Sequence, residues 1–315
     1  MPPALTEIDQ CTYVPPAVLP VPIAEPGTRN EAVSFAMPDG EILTGHFTLP
    51  DPVTDASDNF KPLVVICHGM LNHRFSKVIR NLSRALCPEY PHLCLDFPGM
   101  GTSTGITRYG NFNDEYVCLK YVLAQLRKQG YTIVGLIGHS KAGSLVLTYA
   151  THHNDIPLII NVSARYDHTQ APSFRFKPEH MQLLQEQGWF EWLKYGKEKE
   201  RTFIVREEDL RVRSAIDMSI VRDIVLRNDQ GAVVTKVLTV HGDQDSIVPV
   251  KSAWDFHHHV GKNSKLRQDD DHQIVIIPEG DHSFLTEPEA KLLRQAVREW
   301  VDKHWEIGTQ VVRDI

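Results

Sequence analysis

Short runs of apolar residues recur along the chain at intervals that suit buried strands. The clearest runs cover residues 63–67, 93–95, 133–137, 158–160, 237–240 and 274–277. Strands that are apolar on both faces are typical of a sheet that is covered on both sides. Upstream of these runs, residues 33–37 and 43–49 alternate apolar with polar or small positions around the turn Pro38-Asp39-Gly40, which predicts an antiparallel hairpin.

Helical periodicity separates the apolar runs. One stripe of leucine and valine spans residues 119–126 and ends at Gly130, and a second spans residues 293–301. The second stripe follows Thr286 and Glu289, whose spacing is typical of a capping box. Strands that alternate with helices predict an α/β fold, with a mainly parallel sheet and helices on both of its faces.

The chain divides into four segments by composition. Residues 1–29 carry seven prolines, each of which removes a backbone donor, so they are predicted to form an extended arm. Between the strands at 158–160 and 237–240 the sequence is charged, rich in aromatic residues and partly helical, which we interpret as a helical cap inserted over the edge of the sheet. The predicted boundaries are 1–29 for the arm, 30–163 and 234–315 for the two parts of the core, and 164–233 for the cap.

Composition and charge narrow the classes of function. The formal net charge is −7 and lysine and arginine form no block, which argues against a nucleic-acid partner. No apolar run approaches the roughly 20 residues of a membrane span, and the first ten residues lack the pattern of a secretory signal. Five cysteines without a C-x-x-C pair indicate reduced thiols, so a cytoplasmic location is expected.

The run at residues 133–143 has the pattern of a nucleophile on a sharp turn. An apolar strand ends at Gly138-His139-Ser140, and residues 144–150 have helical character. Small residues flank such a serine because the turn between strand and helix is tight. Ala142 stands where the usual G-x-S-x-G pattern has its second glycine, and Gly143 follows it.

A serine needs a base to take its proton and an acid to orient that base. Asp243 and Asp245 follow the strand at 237–240, and His282 follows the strand at 274–277. Loops beyond the carboxyl ends of parallel strands meet at one crevice, so Ser140, one of the aspartates and His282 are expected to lie together. From the residues alone, either aspartate could be the acid.

Two further loops complete the predicted site. His68-Gly69-Met70 follows the strand at 63–67, where the N–H of Met70 and that of Lys141 could bind a developing oxyanion. A glycine-rich turn at residues 96–103 follows the next strand. A metal role for His68 is disfavoured because no second ligand has a suitable spacing, and the histidine runs 152–153 and 257–259 are interpreted as solvated or packed side chains.

Taken together, these five loops resemble the α/β-hydrolase superfamily over about residues 31–306. The matching motifs are the oxyanion loop, the D-x-x-G-x-G-x-S turn, the G-x-S-x-G elbow, the G-x-x-D-x-x-V-P acid loop and the G-x-D-H-x-F histidine loop, in that order. The resemblance implies that Ser140 is the nucleophile, His282 the base and Asp245 the acid, because Asp245 stands three residues before Val248-Pro249 as in the superfamily pattern. It implies no cofactor and no metal.

A narrower resemblance, carried by the G-H-S-K elbow and the position of the cap, is to capped intracellular esterases, including cinnamoyl (feruloyl) esterases. It implies a serine carboxylesterase acting on a small-molecule ester. An aminopeptidase, a thioesterase or a carbon–carbon hydrolase could use the same residues, and a slow-turnover binding receptor could retain them. The aromatic residues of the cap either line a substrate pocket or form a small core of their own: Phe174, Phe176, Trp189, Phe190, Trp192 and Tyr195.

Overall fold

Eight strands form one sheet in the order β1-β2-β4-β3-β5-β6-β9-β10, and β7 and β8 form a separate two-stranded sheet. The computed structural model describes residues 24–51, 60–169, 175–195 and 201–313. The strands are β1 Thr28–Ala36, β2 Ile42–Pro50, β3 Lys61–Cys67, β4 His92–Asp96, β5 Tyr131–His139, β6 Leu158–Val162, β7 Trp189–Tyr195, β8 Arg201–Arg206, β9 Lys236–Gly242 and β10 His272–Ile277.

The large sheet is antiparallel only at its first edge. β1 pairs with β2 and β2 with β4 in antiparallel register, and every pair from β4 to β10 is parallel. The hairpin predicted from residues 33–37 and 43–49 is therefore the β1–β2 pair. β1 begins at Thr28, inside the range assigned to the arm, and residues 1–23 of that arm lie outside the described residues.

Helices alternate with the parallel strands. They are α1 Lys77–Leu86, α2 Phe112–Lys128, α3 Lys141–His153, α4 Pro178–Gln187, α5 Glu207–Ser214, α6 Lys251–His259 and α7 Glu287–Arg313, with short 3₁₀ segments at Met218–Asp223 and Asp269–Asp271. None of the helices within the described residues combines the length and apolar character needed to span a bilayer.

The sheet buries an apolar core on each face, as its two-sided apolar strands predict. In β3, Leu63 and Val65 pack into the core under α2, α3 and α6. Val64 and Ile66 pack on the opposite face, with α1 and α7. This alternation follows from the two-residue period of a strand. The α/β prediction is confirmed, and the parallel strands all direct their carboxyl ends to one side of the sheet.

The segment between β6 and β9 differs from its predicted helical form. It contains α4 and α5, but between them β7 and β8 pair as an antiparallel ribbon. Phe190, Phe203 and Val205 are buried on one face of that ribbon, while charged residues such as Glu191 occupy the other. Each of these strands has only a few apolar residues on one face, and charged residues lie between them. Their alternation is therefore too short to be recognised in the sequence, and the prediction of a purely helical cap was incomplete.

The position of this segment also differs from the prediction. Its apolar cluster packs against Met70 and Leu71, which follow β3, and includes Tyr109, which lies between β4 and α2. Arg201 donates a hydrogen bond of 3.0 Å to the carbonyl oxygen of Gly99 in the loop after β4. The part of the segment around β7 and β8 therefore lies over loops at the carboxyl ends of central strands rather than over the edge of the sheet, whereas Met218, Val221 and Leu226 pack in the main core beside α3.

Candidate active site

Ser140 is the single residue between β5 and α3, and the main chain turns sharply at this residue. Its φ is 56° and its ψ is −118°. A residue with a side chain rarely adopts a positive φ, so the surrounding structure must hold it there. The Ser140 N–H donates to the carbonyl oxygen of Val162 at the end of β6, at 2.8 Å. The turn therefore directs the hydroxyl outward from the carboxyl end of the sheet.

Small residues around Ser140 let strand and helix approach closely. A Cβ atom on Gly138 would collide with the main chain of Ala142, and one on Gly143 would lie 2.8 Å from the Cβ atom of Ala164. Ala142 itself is buried without such a conflict. The alanine in place of the usual second glycine is thus accommodated, and Gly143 occupies the position that requires a glycine.

The structure brings Ser140, His282 and Asp245 into one chain of hydrogen bonds. His282 Nε2 lies 2.9 Å from Ser140 Oγ. On the other side of the ring, His282 Nδ1 donates to Asp245 Oδ2 at 2.7 Å. Oδ1 of the same carboxylate accepts the N–H groups of Ile247 and Val248, both at 2.8 Å.

Asp245 is the aspartate that contacts the histidine, and Asp243 is exposed to solvent. Burial raises the pKa of Asp245, but hydrogen bonds from His241 and His282, the charge of His282 and the N–H of Val248 together lower that pKa below its ordinary range. The carboxylate is therefore ionised at neutral pH.

Two histidines that the sequence analysis did not single out support the hydrogen bonds between Ser140, His282 and Asp245. His241 Nε2 lies 2.9 Å from the carbonyl oxygen of Val248 and 3.2 Å from Asp245 Oδ2, so it holds the acid from a second direction. His139 Nε2 donates to the carbonyl oxygen of His282 at 2.8 Å. Burial and the charge of His282 lower the pKa of His139 to about 3, so its ring is neutral. His139 lies inside the predicted elbow and His241 directly precedes the predicted acid loop, which is the only signal the sequence offered.

The loop that carries His282 is also tied to α7. Glu289 Oε2 accepts the N–H of Asp281 at 3.1 Å, and Oε1 accepts the hydroxyl of Thr286 at 2.5 Å. The capping box predicted from Thr286 and Glu289 thus appears as a contact between their side chains. Glu289 links the first turn of the helix to the residue before His282.

The predicted oxyanion donors lie on the two loops nearest the serine. A Cβ atom on Gly69 would lie 2.9 Å from the Cβ atom of Ser140, so Met70 follows a residue that approaches Ser140 closely. Lys141 is the first residue of α3, where N–H groups have no partner within the helix. Among the described residues, the N–H groups of Met70 and Lys141 donate to no protein acceptor.

His68 supports the predicted oxyanion loop through both ring nitrogens. Nδ1 donates to the carbonyl oxygen of Gly69 at 2.7 Å, and Nε2 accepts the N–H of Phe97 at 3.0 Å. Burial lowers the pKa of His68 to about 3, so the ring is neutral. Neither nitrogen remains for a metal, and no group of three or more potential metal ligands occurs within the described ranges.

The glycine-rich turn after β4 is organised around Asp96. This fully buried carboxylate accepts the N–H of Arg74 at 2.6 Å and the N–H of Thr102 at 3.2 Å, and it forms an ion pair with the Arg74 guanidinium. A side chain at Gly101 would collide with the carboxylate. Asp96 therefore joins the loop after β3 to the loop after β4.

Comparison with known proteins supports the fold. A family model described as the alpha/beta hydrolase fold matches residues 62–181. Est1E from Butyrivibrio proteoclasticus, solved with ferulic acid bound, is 20% identical, with a TM-score of 0.65 over 87% of this chain and 99% of its own. An esterase domain from Rhodothermus marinus is 20% identical, with a TM-score of 0.60 over 87% of this chain and 98% of its own.

A third solved structure, the esterase Pf2001 from Pyrococcus furiosus, is 17% identical, with a TM-score of 0.61 over 92% of this chain and 99% of its own. No curated protein matches the sequence. The sheet order, the strained serine turn and these matches agree. We therefore identify the chain as a protein of the α/β-hydrolase fold, with esterases among its structural neighbours.

Proposed function

We propose that this protein is a serine hydrolase that cleaves carboxylic esters through an acyl-enzyme. The observation that carries the proposal is the hydrogen-bonded series Asp245–His282–Ser140, which ends on a serine hydroxyl. A serine hydroxyl becomes a useful nucleophile when an oriented imidazole can accept its proton.

In the acylation step, Ser140 Oγ attacks the ester carbonyl carbon while His282 Nε2 takes the hydroxyl proton. The Asp245 carboxylate stabilises the imidazolium that forms, through its 2.7 Å contact with Nδ1. The N–H groups of Met70 and Lys141 bind the oxyanion of the tetrahedral intermediate. His282 then gives its proton to the departing alkoxide, which leaves as the alcohol. Ser140 remains covalently bound to the acyl group as an ester.

Deacylation repeats these proton transfers with water in place of the serine. His282 Nε2 takes a proton from water, whose oxygen attacks the acyl carbon, and the proton then returns to Ser140 Oγ as the carboxylic acid leaves. The ester bond is proposed over a thioester, an amide or a carbon–carbon bond because two structural neighbours are esterases and a third, Est1E, was solved with ferulic acid bound.

We propose residues 164–233 as the cap of this site. Its apolar cluster, which includes Phe176, Phe190 and Phe203, packs against Met70 of the oxyanion loop. A cover of this kind excludes water and gives apolar surface to the part of the substrate beyond the carbonyl.

The described cysteines are free thiols, and three of the four are buried, which supports a reducing compartment such as the cytoplasm.

Replacing Ser140 with alanine tests the function. We expect hydrolysis of 4-nitrophenyl butyrate by the wild type, and a fall in kcat of about 10⁴-fold or more in Ser140→Ala. Ser246→Ala is the matched control because Ser246 is exposed in the acid loop. A fluorophosphonate probe should label the wild type and Ser246→Ala but not Ser140→Ala. An esterase rate that survives in Ser140→Ala would exclude the proposal.

A further inference from the structure

Arg213, on α5 of the cap segment, is a buried cation without a protein acceptor. The residue is 5% exposed. Its Nε has no hydrogen-bond partner, and its guanidinium takes part in no hydrogen bond or ion pair among the described residues. Its guanidinium lies over the ring of Tyr109, whose centroid is 4.8 Å from Cζ. Buried guanidinium groups ordinarily bind carboxylates or carbonyl oxygens, so Arg213 presents unused donors.

One nearby acidic group acts on Arg213 through its charge but forms no ion pair with it. Glu115 Oε1 accepts hydrogen bonds from Lys141 Nζ at 2.7 Å and from Asn111 Nδ2 at 3.1 Å, while Oε2 has no hydrogen-bond partner. Burial lowers the pKa of Arg213, and the charge of Glu115 opposes that shift. Asp209, one turn before Arg213 on α5, accepts the N–H of Arg206 at 3.0 Å. Neither carboxylate forms an ion pair with Arg213.

Two further arginines, Arg165 and Arg175, add positive charge near Arg213. Burial lowers the pKa of Arg165, and the positive charges of Arg175 and Arg213 lower that pKa further, to about 10. Burial together with the charges of Arg213 and Arg165 lowers the pKa of His168 to about 3. His168 is therefore neutral at pH 7. The region carries net positive charge inside the fold, which favours an anion there.

Tyr109 supplies a second donor at the same place. It is 1% exposed, and its hydroxyl has no hydrogen-bond partner. Its ring lies under the Arg213 guanidinium and 5.7 Å from the ring of Trp192, centroid to centroid. A guanidinium fork beside a phenol hydroxyl suits a carboxylate, which accepts two parallel N–H groups and a further O–H.

This cluster adjoins the candidate active site. The apolar cluster that contains Tyr109 packs against Met70, the residue after Gly69, which approaches Ser140 closely. Arg165 donates to the carbonyl oxygen of Ile247, between Asp245 and Val248 in the acid loop. The buried cations therefore lie between the cap and the loops that surround the serine.

We propose that Arg213 and Tyr109 form an anion subsite that binds a carboxylate on the substrate, so that the substrates are esters carrying a free carboxylate. This inference rests on the proposed ester hydrolysis and names its substrate class. The guanidinium binds the carboxylate through two N–H groups and the Tyr109 hydroxyl donates a third hydrogen bond. With the carboxylate bound, the buried Arg213 guanidinium has an anionic acceptor.

The kinetic test compares matched anionic and neutral esters. The substrates are the mono-4-nitrophenyl esters of adipate, pimelate and suberate, which present the carboxylate at three distances from the carbonyl, and the same esters with the far carboxylate methylated. In the wild type, we expect kcat/KM for the best anionic ester to exceed that of its methylated counterpart by at least tenfold. In Arg213→Gln this ratio should fall by at least tenfold.

Three variants separate charge recognition from packing. Arg213→Lys keeps the charge without the fork and should retain an intermediate ratio, and Tyr109→Phe should lower the ratio by a few-fold. Arg211→Gln is the matched control, because Arg211 lies on the same helix but is exposed and paired with Glu208; its ratio should equal that of the wild type. A structural role of Arg213 would lower kcat/KM for both esters and leave the ratio unchanged, which would overturn the subsite.

A binding measurement tests the subsite without requiring turnover. Calorimetry with adipate on Ser140→Ala should give a Kd at least tenfold lower than on the double variant Ser140→Ala/Arg213→Gln. Equal Kd values would overturn the subsite. If adipate binds through Arg213 but the wild type hydrolyses no ester, the subsite stands and the proposed function fails. If Ser140-dependent hydrolysis occurs with a ratio that Arg213→Gln leaves unchanged, the function stands and the subsite fails.

Discussion

Lys141 Nζ lies 2.7 Å from Glu115 Oε1, and the two side chains are 2% and 1% exposed. The pair joins α3 to α2 directly behind Ser140, and Asn111 Oδ1 accepts a second hydrogen bond from Nζ at 2.8 Å. Burial raises the pKa of Glu115 and lowers the pKa of Lys141, while each charge opposes the shift of the other. The lysine side chain thus anchors the same residue whose main chain is proposed to bind the oxyanion.

Breaking this pair should destabilise the fold. Lys141→Met leaves the Glu115 carboxyl buried without its main partner, so we expect the free energy of unfolding to fall by about 3–5 kcal/mol. The double variant Lys141→Met/Glu115→Met removes both polar groups and should recover most of that loss. Urea denaturation of Lys141→Met, Glu115→Met and the double variant measures the coupling energy between the two residues. Additive losses would contradict this interpretation.

The two aspartates of the acid loop should differ sharply in their effect on kcat. Asp245→Asn removes the carboxylate that orients His282 and stabilises its charged form, so we expect kcat for 4-nitrophenyl butyrate to fall by about 10³–10⁴-fold. Asp243→Asn changes an exposed neighbour and should remain within about twofold of the wild type. Comparable losses in both variants would argue against Asp245 as the acid.

Glu289 should act on the active site through the loop before His282. Glu289→Ala removes the acceptor of the Asp281 N–H, so we expect kcat to fall by about tenfold and the free energy of unfolding by about 1.5–3 kcal/mol. Glu287→Ala is the control, because Glu287 is exposed on the same helix and pairs only with Arg294 among the described residues. We expect near-wild-type values for it in steady-state kinetics and thermal unfolding.

The departure from the usual elbow pattern gives a paired test. Ala142→Gly restores the familiar glycine and should keep esterase activity, with a loss of about 1 kcal/mol because glycine weakens a helix. Gly143→Ala should be far more damaging, since its Cβ atom would lie 2.8 Å from that of Ala164. Soluble yield, thermal unfolding and esterase activity are measured for both variants. If both substitutions are tolerated equally, β5 and α3 can move apart at this point and the interpretation is wrong.

Buried histidines should make the protein less stable in mild acid. Burial lowers the pKa of His92 to about 4, whereas an unfolded histidine has a pKa of about 6.5. Between these values the unfolded chain binds a proton that the native chain does not, so stability is full above about pH 6.5 and falls with decreasing pH. His92→Gln should reduce the slope of unfolding free energy against pH by about 1.4 kcal/mol per unit between pH 6 and 5. An unchanged slope in urea titrations would contradict it.

Much of the fold was accessible from the sequence because its determinants are local. Each parallel strand is apolar over its whole width, so the runs at 63–67 and 133–137 indicated both the strands and their two-sided burial. The sharp turn at Ser140 needs small residues at fixed offsets, which a sequence displays directly. The loops after parallel strands meet at one side of a sheet for topological reasons, which is why Asp245 and His282 could be expected beside Ser140.

The remaining features depend on partners that are distant along the chain. Lys141 meets Glu115 and Arg213 meets Tyr109 only after the helices and the cap have packed, and no spacing rule connects such residues. The β7–β8 ribbon buries Phe190 and Phe203 against a cluster outside the main core, so its strands lack the continuous apolar run of β3. Its charged exposed face resembles that of a surface helix.

The departure of the chain after β6 and its return at β9 has an evolutionary consequence. These two strands are direct neighbours, with Leu158 opposite Lys236. The chain leaves after Val162, at the carboxyl end of β6, and returns at Lys236, at the amino end of β9, so the 73 residues from 163 to 235 cross from one end of the sheet to the other. The ribbon β7–β8 packs in a cluster outside the main core, whereas Met218, Val221 and Leu226 belong to that core, so length and sequence can change most freely around the ribbon. Under the proposed function, selectivity can therefore diverge among descendants of this architecture while Ser140, His282 and Asp245 are retained.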